Sequence, residues 1–294
     1  MPSQLSGTVE LNDAEFTYDG KEHKVLASVT AEGVLSVTYA YYAGDYTAAG
    51  STLPAPLAIS GVKDAGVYTV VATFTVDGNY TAVQPIRALV TVNKATVKIT
   101  ADDVSKVYGY TYNASDFTYN VEGLIGADTL ASLGVTVTVN VKYDGTYGLD
   151  AGEYGIDLTG AASADNYKFS YIGGTLTITP YVLSESEIIW QKSDTDTNAT
   201  LEYDYDGSEH LPYAYAEVNG VKVAVIEVFG KQINAGNGYI AVAVSTDNAN
   251  YALPVGGASK SFKILPKPVE NLHIVWTDAT VYYAGLPHAP SAYF

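Results

Sequence analysis

The chain of 294 residues has no cysteine, so neither disulfides nor thiolate metal sites can contribute to its fold. It is also short of positive charge, with 15 Lys and Arg against 32 Asp and Glu, a net charge of −17 spread evenly along its length. With no basic patch to offset that charge, nucleic acid and anionic membrane are poor partners, and neighbouring copies repel. No apolar run is long enough to span a bilayer, and the opening Met1-Pro2-Ser3-Gln4-Leu5 is not a basic-then-apolar signal peptide, so an export signal would have to lie elsewhere in the gene. A long 3.6-residue hydrophobic period is missing too. The single helical signal is Gly126–Leu133, where Asp128 is placed to cap a short crossover helix.

What the sequence does have is a repeated phrase. Asp64-Ala65-Gly66-Val67-Tyr68, Asp150-Ala151-Gly152-Glu153-Tyr154 and Asn234-Ala235-Gly236-Asn237-Gly238-Tyr239 place their alanines 86 and 84 residues apart. Each is followed by an Asn-Tyr pair, at Asn79-Tyr80, Asn166-Tyr167 and Asn250-Tyr251, and then by an alternating run ending in a Lys or Pro joint. In those runs Val90/Val92, Leu176/Ile178 and Phe262/Ile264 take equivalent places on one face of a period-two strand. A Tyr-x-Gly or Tyr-Gly turn opens each repeat, at Tyr18-Asp19-Gly20, Tyr108-Gly109, Tyr205-Asp206-Gly207 and again at Tyr283-Ala284-Gly285. The spacing predicts three units of about 86 residues, 1–93, 94–180 and 181–266, with 267–294 as the start of a fourth. Joints of one or two residues, without Gly/Ser tracts, predict domains set end to end.

Val, Thr, Tyr and Ile dominate the alternating runs, which makes the chain all-β. Val135, Val137, Val139 and Val141 predict a half-buried strand that turns at Asp144-Gly145. Tyr68, Val70, Ala72, Phe74 and Val76 share one face of another, with Thr69, Val71, Thr73 and Thr75 on the other. Without disulfides each unit must stand on its hydrophobic core, which about 86 residues can supply.

Asp-x-Gly-x-Tyr resembles the tyrosine corner of immunoglobulin-like sandwiches, in which the Tyr hydroxyl bonds to backbone just upstream. The whole repeat, closest in the second copy through Lys106-Val107-Tyr108-Gly109 and Asn166-Tyr167 to Gly173-Gly174-Thr175-Leu176-Thr177-Ile178-Thr179, resembles the MBG/YDG-type repeats of bacterial surface proteins and adhesins. The resemblance implies tandem immunoglobulin-like β-sandwiches, extracellular display and a role in adhesion or as a stalk, and it implies no enzyme. A β-grasp unit with the Asp128–Leu133 helix packed on a sheet is the alternative fold. The third repeat departs from the pattern. Asn234 replaces Asp, one extra residue puts Tyr239 out of step with the other corner tyrosines, and the buried face of the following strand is ambiguous between Ile240/Val242/Val244 and Tyr239/Ala241/Ala243. About nine residues from Asp194 to Glu202 also lengthen its opening connection, and an inserted loop is a natural place for function.

Candidate chemistry is sparse. Asp194-x-Asp196-x-Asn198 has the alternation of a calcium loop, but Ala199 stands where the turn glycine belongs and Tyr205 where the bidentate Glu belongs, leaving at best a loose site with Asp204 or Asp206. His23, His210 and His288 take one place in separate repeats, which indicates a turn role. Asp102 and Asp103 are adjacent, so on a strand they face opposite ways and cannot flank one glycosidic bond. Lys98 and Lys168 alternate with apolar neighbours and are expected in solvent, where an isopeptide bond cannot form. The tyrosine clusters Tyr39 to Tyr42, Tyr110 to Tyr112 and Tyr213 to Tyr215 are candidate sugar platforms, though Tyr is also a favoured strand residue.

No catalytic, cofactor-binding or metal-binding residue is therefore assigned. The expected function is a non-catalytic stalk at a cell surface, a monomeric rod on the order of 100 Å from strands rising about 3.3 Å per residue. The competing expectations are repeats that bind glycan or a host protein, and accessory domains of a large secreted glycan-active enzyme.

Overall fold

The computed structural model describes residues 2–4, 6–111, 113–141, 149–196, 198–270, 274–276, 285 and 292–293. Among the described residues the chain is all-β, and its only helical elements are single 3-10 turns at Ala114–Asp116 and Glu185–Glu187. No helix among them is long and apolar enough to cross a membrane. The chain forms two compact units, Met1–Lys106 with Tyr110–Ile178, and Val107–Gly109 with Thr179–Phe294.

The second repeat is a full sandwich. One four-stranded sheet runs Thr138–Val141, Gly152–Thr159, Gly174–Thr179, Val104–Val107, and the other Ser163–Ala164, Tyr167–Ile172, Ala95–Ala101, Tyr119–Glu122. Val97 and Ile99 of one sheet and Ile156, Leu176 and Ile178 of the other are all buried, as facing sheets require. In the first repeat Ala14–Thr17, Ile86–Asn93, Gly66–Val76 and Val34–Ala43 form a four-stranded sheet. The third builds six strands in the order Ile188–Gln191, Tyr213–Val218, Val221–Phe229, Gly236–Thr246, Ser259–Leu265, Glu202–Asp204. The aligned pairs Val90/Val92, Leu176/Ile178 and Phe262/Ile264 are buried in all three, as their alternation predicts.

The opening strand of the second repeat changes sheets. Ala95–Ala101 runs parallel to Tyr167–Ile172, after which Val104–Val107 lies beside Gly174–Thr179. The switch falls at Asp102-Asp103, where Asp103 Oδ1 accepts the Thr175 amide at 2.7 Å. Asp13 does the same for the Leu89 amide at 2.7 Å, at the start of the parallel pairing of Ala14–Thr17 with Ile86–Asn93. A carboxylate at the kink satisfies an amide that the interrupted ladder would leave unpaired.

Three sequence expectations change on the structure. Gly126–Leu133 is a chain of turns, not a helix, and the β-grasp alternative goes with it. Thr129 and Ser132 bond each other's backbone amides through their side chains, at 2.9 and 3.0 Å, which competes with helical pairing. Gly126 and Gly134, both at φ +66°, turn the chain at either end. Second, the outer face of Gly66–Val76 is covered in part, with Thr69 and Val71 buried. Thr69 is wedged between Gly44 and Tyr46, and Arg87 clamps that loop through the Tyr46 and Ser51 carbonyls at 2.7 and 3.0 Å. Third, the strand expected from Val135 begins as a ladder at Thr138, with Val135 buried ahead of it, while its turn at Asp144-Gly145 lies outside the described residues.

Candidate functional site

All three repeated phrases form tyrosine corners. Tyr68 donates its hydroxyl to the Asp64 carbonyl at 2.9 Å, Tyr154 to the Asp150 carbonyl at 2.9 Å, and Tyr239 to the Asn234 carbonyl at 3.1 Å. The expectation that Tyr239 is out of step is corrected here. A β-bulge between Gly236 and Tyr239, with Gly238 at φ +78°, absorbs the extra residue and returns the ring to its place. In the first and third phrases the ring crowds the glycine, while at Gly152 a Cβ would stand 3.8 Å from the Tyr154 ring, an ordinary contact. A Cβ on Gly66 would meet the Tyr68 hydroxyl at 3.2 Å, and one on Gly236 would run into the Tyr239 hydroxyl.

The Tyr-Asp-Gly-x-Glu-His turns clip the chain just ahead of these phrases. His23 exchanges both backbone bonds with Val62 at 2.7 and 2.8 Å, and His210 does so with Gln232 at 2.7 and 3.0 Å. The imidazoles reach back to Asp19 and Asp206, each at 3.0 Å, and pack on Phe16 and Tyr203. The amide of Lys21 holds the Asp19 carboxyl below its usual range, and that of Ser208 does the same for Asp206. The repeated histidine is thus a turn element, and His288 lies outside the described residues.

Within the first unit, the Asn-Tyr pair of the second repeat meets the phrase of the first. Asn166 Oδ1 accepts the Ala65 amide at 2.7 Å while its Nδ2 donates to Asp64 Oδ1 at 3.0 Å. Beside it the Tyr167 ring stands edge-on to Tyr18, centroids 5.5 Å apart at 83°, and Gly20 faces Ile125. Tyr167 is buried, and its hydroxyl donates to Asp128 at 2.6 Å and accepts the Ile125 amide at 3.1 Å. Asp128, expected as a helix cap, anchors this tyrosine instead. Burial first and the Asp128 carboxylate second push the Tyr167 hydroxyl up to about 12. Sequence reasoning took Asn166 as a landmark and missed its grip. The available signal was an Asn invariably paired with Tyr within the chain, at a point where no strand requires a polar residue.

The other candidates resolve into structural roles. In the inserted loop Ser193 Oγ accepts the Asp196 amide at 2.9 Å, Asp196 Oδ1 the Asn198 amide at 3.0 Å, and Asn198 Oδ1 the Thr200 amide at 3.0 Å. These side chains are spent on their own backbone. Among the described residues no three His, Cys, Asp or Glu converge as a metal site. Asp102 takes the Thr118 hydroxyl and the Asn120 amide group, at 2.5 and 2.6 Å, while Asp103 holds the strand switch. Lys98 and Lys168 are exposed. Of the tyrosine clusters, Tyr41 is buried under the Val25 amide and Tyr39 accepts the Ala27 amide, while Tyr42 is half-exposed. Lys222 donates to the Tyr213 hydroxyl at 2.7 Å and lies 5.1 and 5.0 Å over the Tyr213 and Tyr215 rings. Lys106 lies 5.1 Å over Tyr110, and Tyr112 is outside the described residues.

Residues 97–177 match the family model of the MBG domain (YGX type). No curated protein matches the chain. Solved structures similar to it include human CDH23 EC21-23, at 12% identity and a TM-score of 0.29, covering 87% of this chain and 99% of that one. They also include protocadherin gamma B2 extracellular cadherin domains 3-6, at 10% identity and 0.30, covering 96% and 77%. A third is the Bacteroides ovatus mixed-linkage glucan utilization locus SGBP-B in complex with a mixed-linkage heptasaccharide, at 11% identity and 0.21, covering 94% and 70%. The YGX turn at Tyr108-Gly109-Tyr110, the Asp150–Tyr154 corner and the Asn166-Tyr167 pair all fall within the matched segment, so residues 97–177 are similar to the MBG domain of the YGX type, and the flanking segments repeat the same phrases.

Proposed function

We propose that the chain is a non-catalytic spacer of an extracellular surface protein of bacterial type, a stalk made of three MBG-like repeats (1–93, 94–180 and 181–266) and the opening of a fourth. The observation that carries this reading is the grip of Asn166 on Asp64 and Ala65, because it spends the most regular polar residues of the chain on joining one repeat to the next. Each such bond contributes about 0.5–1.5 kcal/mol net and the edge-on tyrosine pair about as much. The single residue Lys94 between the strands Ile86–Asn93 and Ala95–Ala101 keeps the joint's loss of entropy small. Small-angle scattering of the full chain should show an elongated particle, and a compact one would overturn the spacer reading.

A second reading rests on the third repeat. Its strand leaves Ile240, Val242 and Val244 at 50, 40 and 51% exposure, beside a cleft of about 440 Å³ lined by Ile188, Trp190 and Lys260 among others. A surface of this kind, an aromatic with a charged rim, fits a glycan or an extracellular protein. Binding on glycan or mucin arrays that is lost in Trp190→Ala supports it, and silence on those arrays removes it.

A further inference from the structure

Two asparagines of the chain precede a glycine, in Asn219-Gly220 and Asn237-Gly238, and both pairs are exposed on the third repeat. An asparagine so placed is open to attack by the backbone nitrogen of its neighbour, because glycine has no Cβ to keep that nitrogen from the carboxamide. The fold treats the two pairs differently.

Asn219-Gly220 is the two-residue turn between the strands Tyr213–Val218 and Val221–Phe229. Val218 and Val221 pair directly across it, and Asn219 already holds the left-handed conformation, φ +53°, that such a turn demands. Bringing the Gly220 nitrogen onto the carboxamide there means turning a peptide clamped at both ends. Asn237-Gly238 lies instead in the bulge of the third corner. Gly236 faces Ile264 and the next ladder pair is Tyr239 with Phe262, so Asn237 and Gly238 stand together against Lys263. Lys263 spends its own amide on the Leu201 carbonyl at 3.1 Å, on the other side of its strand. Among the described residues no hydrogen bond holds the Asn237 carboxamide. The pair opens onto a hollow of about 270 Å³, lined also by Thr200, Glu202 and Lys260, which has room for several waters.

We propose that Asn237 is a site of spontaneous modification by water, and that the bulge seating Tyr239 makes it one. The Gly238 nitrogen gives its proton to solvent and bonds to Asn237 Cγ. The Cγ–Nδ2 bond breaks, ammonia leaves, and a cyclic imide remains. Water then adds to one of the two imide carbonyls. Opening on the Cγ side leaves aspartate, and opening at the main-chain carbonyl leaves isoaspartate, whose backbone runs through Cβ and Cγ and is one atom longer. Both products add a negative charge. The longer one alters the spacing between Asn234 and Tyr239 and so loosens the bond from the Tyr239 hydroxyl to the Asn234 carbonyl.

The test is to age the full folded chain in mildly alkaline water enriched in heavy oxygen, then digest it with trypsin. Asn219 falls in the peptide Ser193–Lys222 and Asn237 in Gln232–Lys260, and fragment spectra place the label within each. Position 237 should take up label at least about tenfold faster than position 219, a barrier lower by about 1.4 kcal/mol. In guanidinium chloride, where no turn or bulge persists, the two rates should converge. Asn237→Gln should remove the label from the second peptide. Equal rates in the folded chain, faster reaction at Asn219, no reaction at Asn237, or label that persists in Asn237→Gln each overturn the proposal. The aged chain should also have a lower urea midpoint than Asn237→Asp, which carries the charge without the extra backbone atom. Equal midpoints would overturn the loosening of the corner.

Discussion

At the residue scale, the corner tyrosines and their glycines form one unit. Removing the hydroxyl in Tyr68→Phe, Tyr154→Phe or Tyr239→Phe should cost about 0.5–1.5 kcal/mol each, the net worth of one hydrogen bond, read as a lower urea midpoint at constant m-value. Gly236→Ala should cost more, about 1–3 kcal/mol, because the new methyl displaces the Tyr239 ring and loses the bond as well. Gly66→Ala, whose Cβ would stand 3.2 Å from the Tyr68 hydroxyl, should fall between. Equal costs for Gly236→Ala and Gly66→Ala would show that the third corner is looser than its geometry. The corner was legible in the sequence because a single residue pattern encodes it. The bulge at Gly238 was not, because the count of residues between Asn234 and Tyr239 says nothing of which one leaves the ladder.

At the scale of elements, turns and loops are held by carboxylates and buried phenols, and each sets a pH window. Asp19 and Asp206 are held below the usual carboxylate range, so the stability they add is present above pH about 4 and is lost as pH falls below it. Asp19→Asn with Asp206→Asn should flatten the acid limb of a melting-temperature profile. At the other end, Tyr167 and Tyr203 are both raised to about 12, each chiefly by burial. The folded state keeps these phenols neutral while the unfolded chain ionises them near 10, so stability is full below pH 10 and falls as pH climbs toward 12. Tyr167→Phe should reduce that alkaline loss, and an unchanged alkaline limb would place the loss elsewhere. The inserted loop should ignore calcium, because Asp196 and Asn198 are already spent on backbone amides. Millimolar calcium should leave the melting temperature where it was, and a rise reversed by a chelator would show a site.

At the scale of the molecule, Asn166 links repeats whose internal packing does not need it. Asn166→Ala should leave far-UV circular dichroism and the urea midpoint almost unchanged. It should broaden the distance distribution between spin labels placed on the first and second repeats. An unchanged distribution would mean that Tyr18, Tyr167 and Ile125 hold the joint without it.

The sequence by itself determined the period, the all-β class, the strands whose alternation buries Val90/Val92, Leu176/Ile178 and Phe262/Ile264, and the corners, because all of these are encoded in residues close along the chain. Only the tertiary structure decided which face of Gly236–Thr246 goes inward. Both faces are apolar, and Ala241 and Ala243 won the buried side because the small side chains fit beneath Trp190, Phe262 and Ile226. It also decided that Gly126–Leu133 turns instead of coiling, once Thr129 and Ser132 bonded each other's backbone and Asp128 was drawn to Tyr167. Asn166 had its meaning only there. Its partners stand 101 and 102 residues away, and no local propensity can report a contact at that separation.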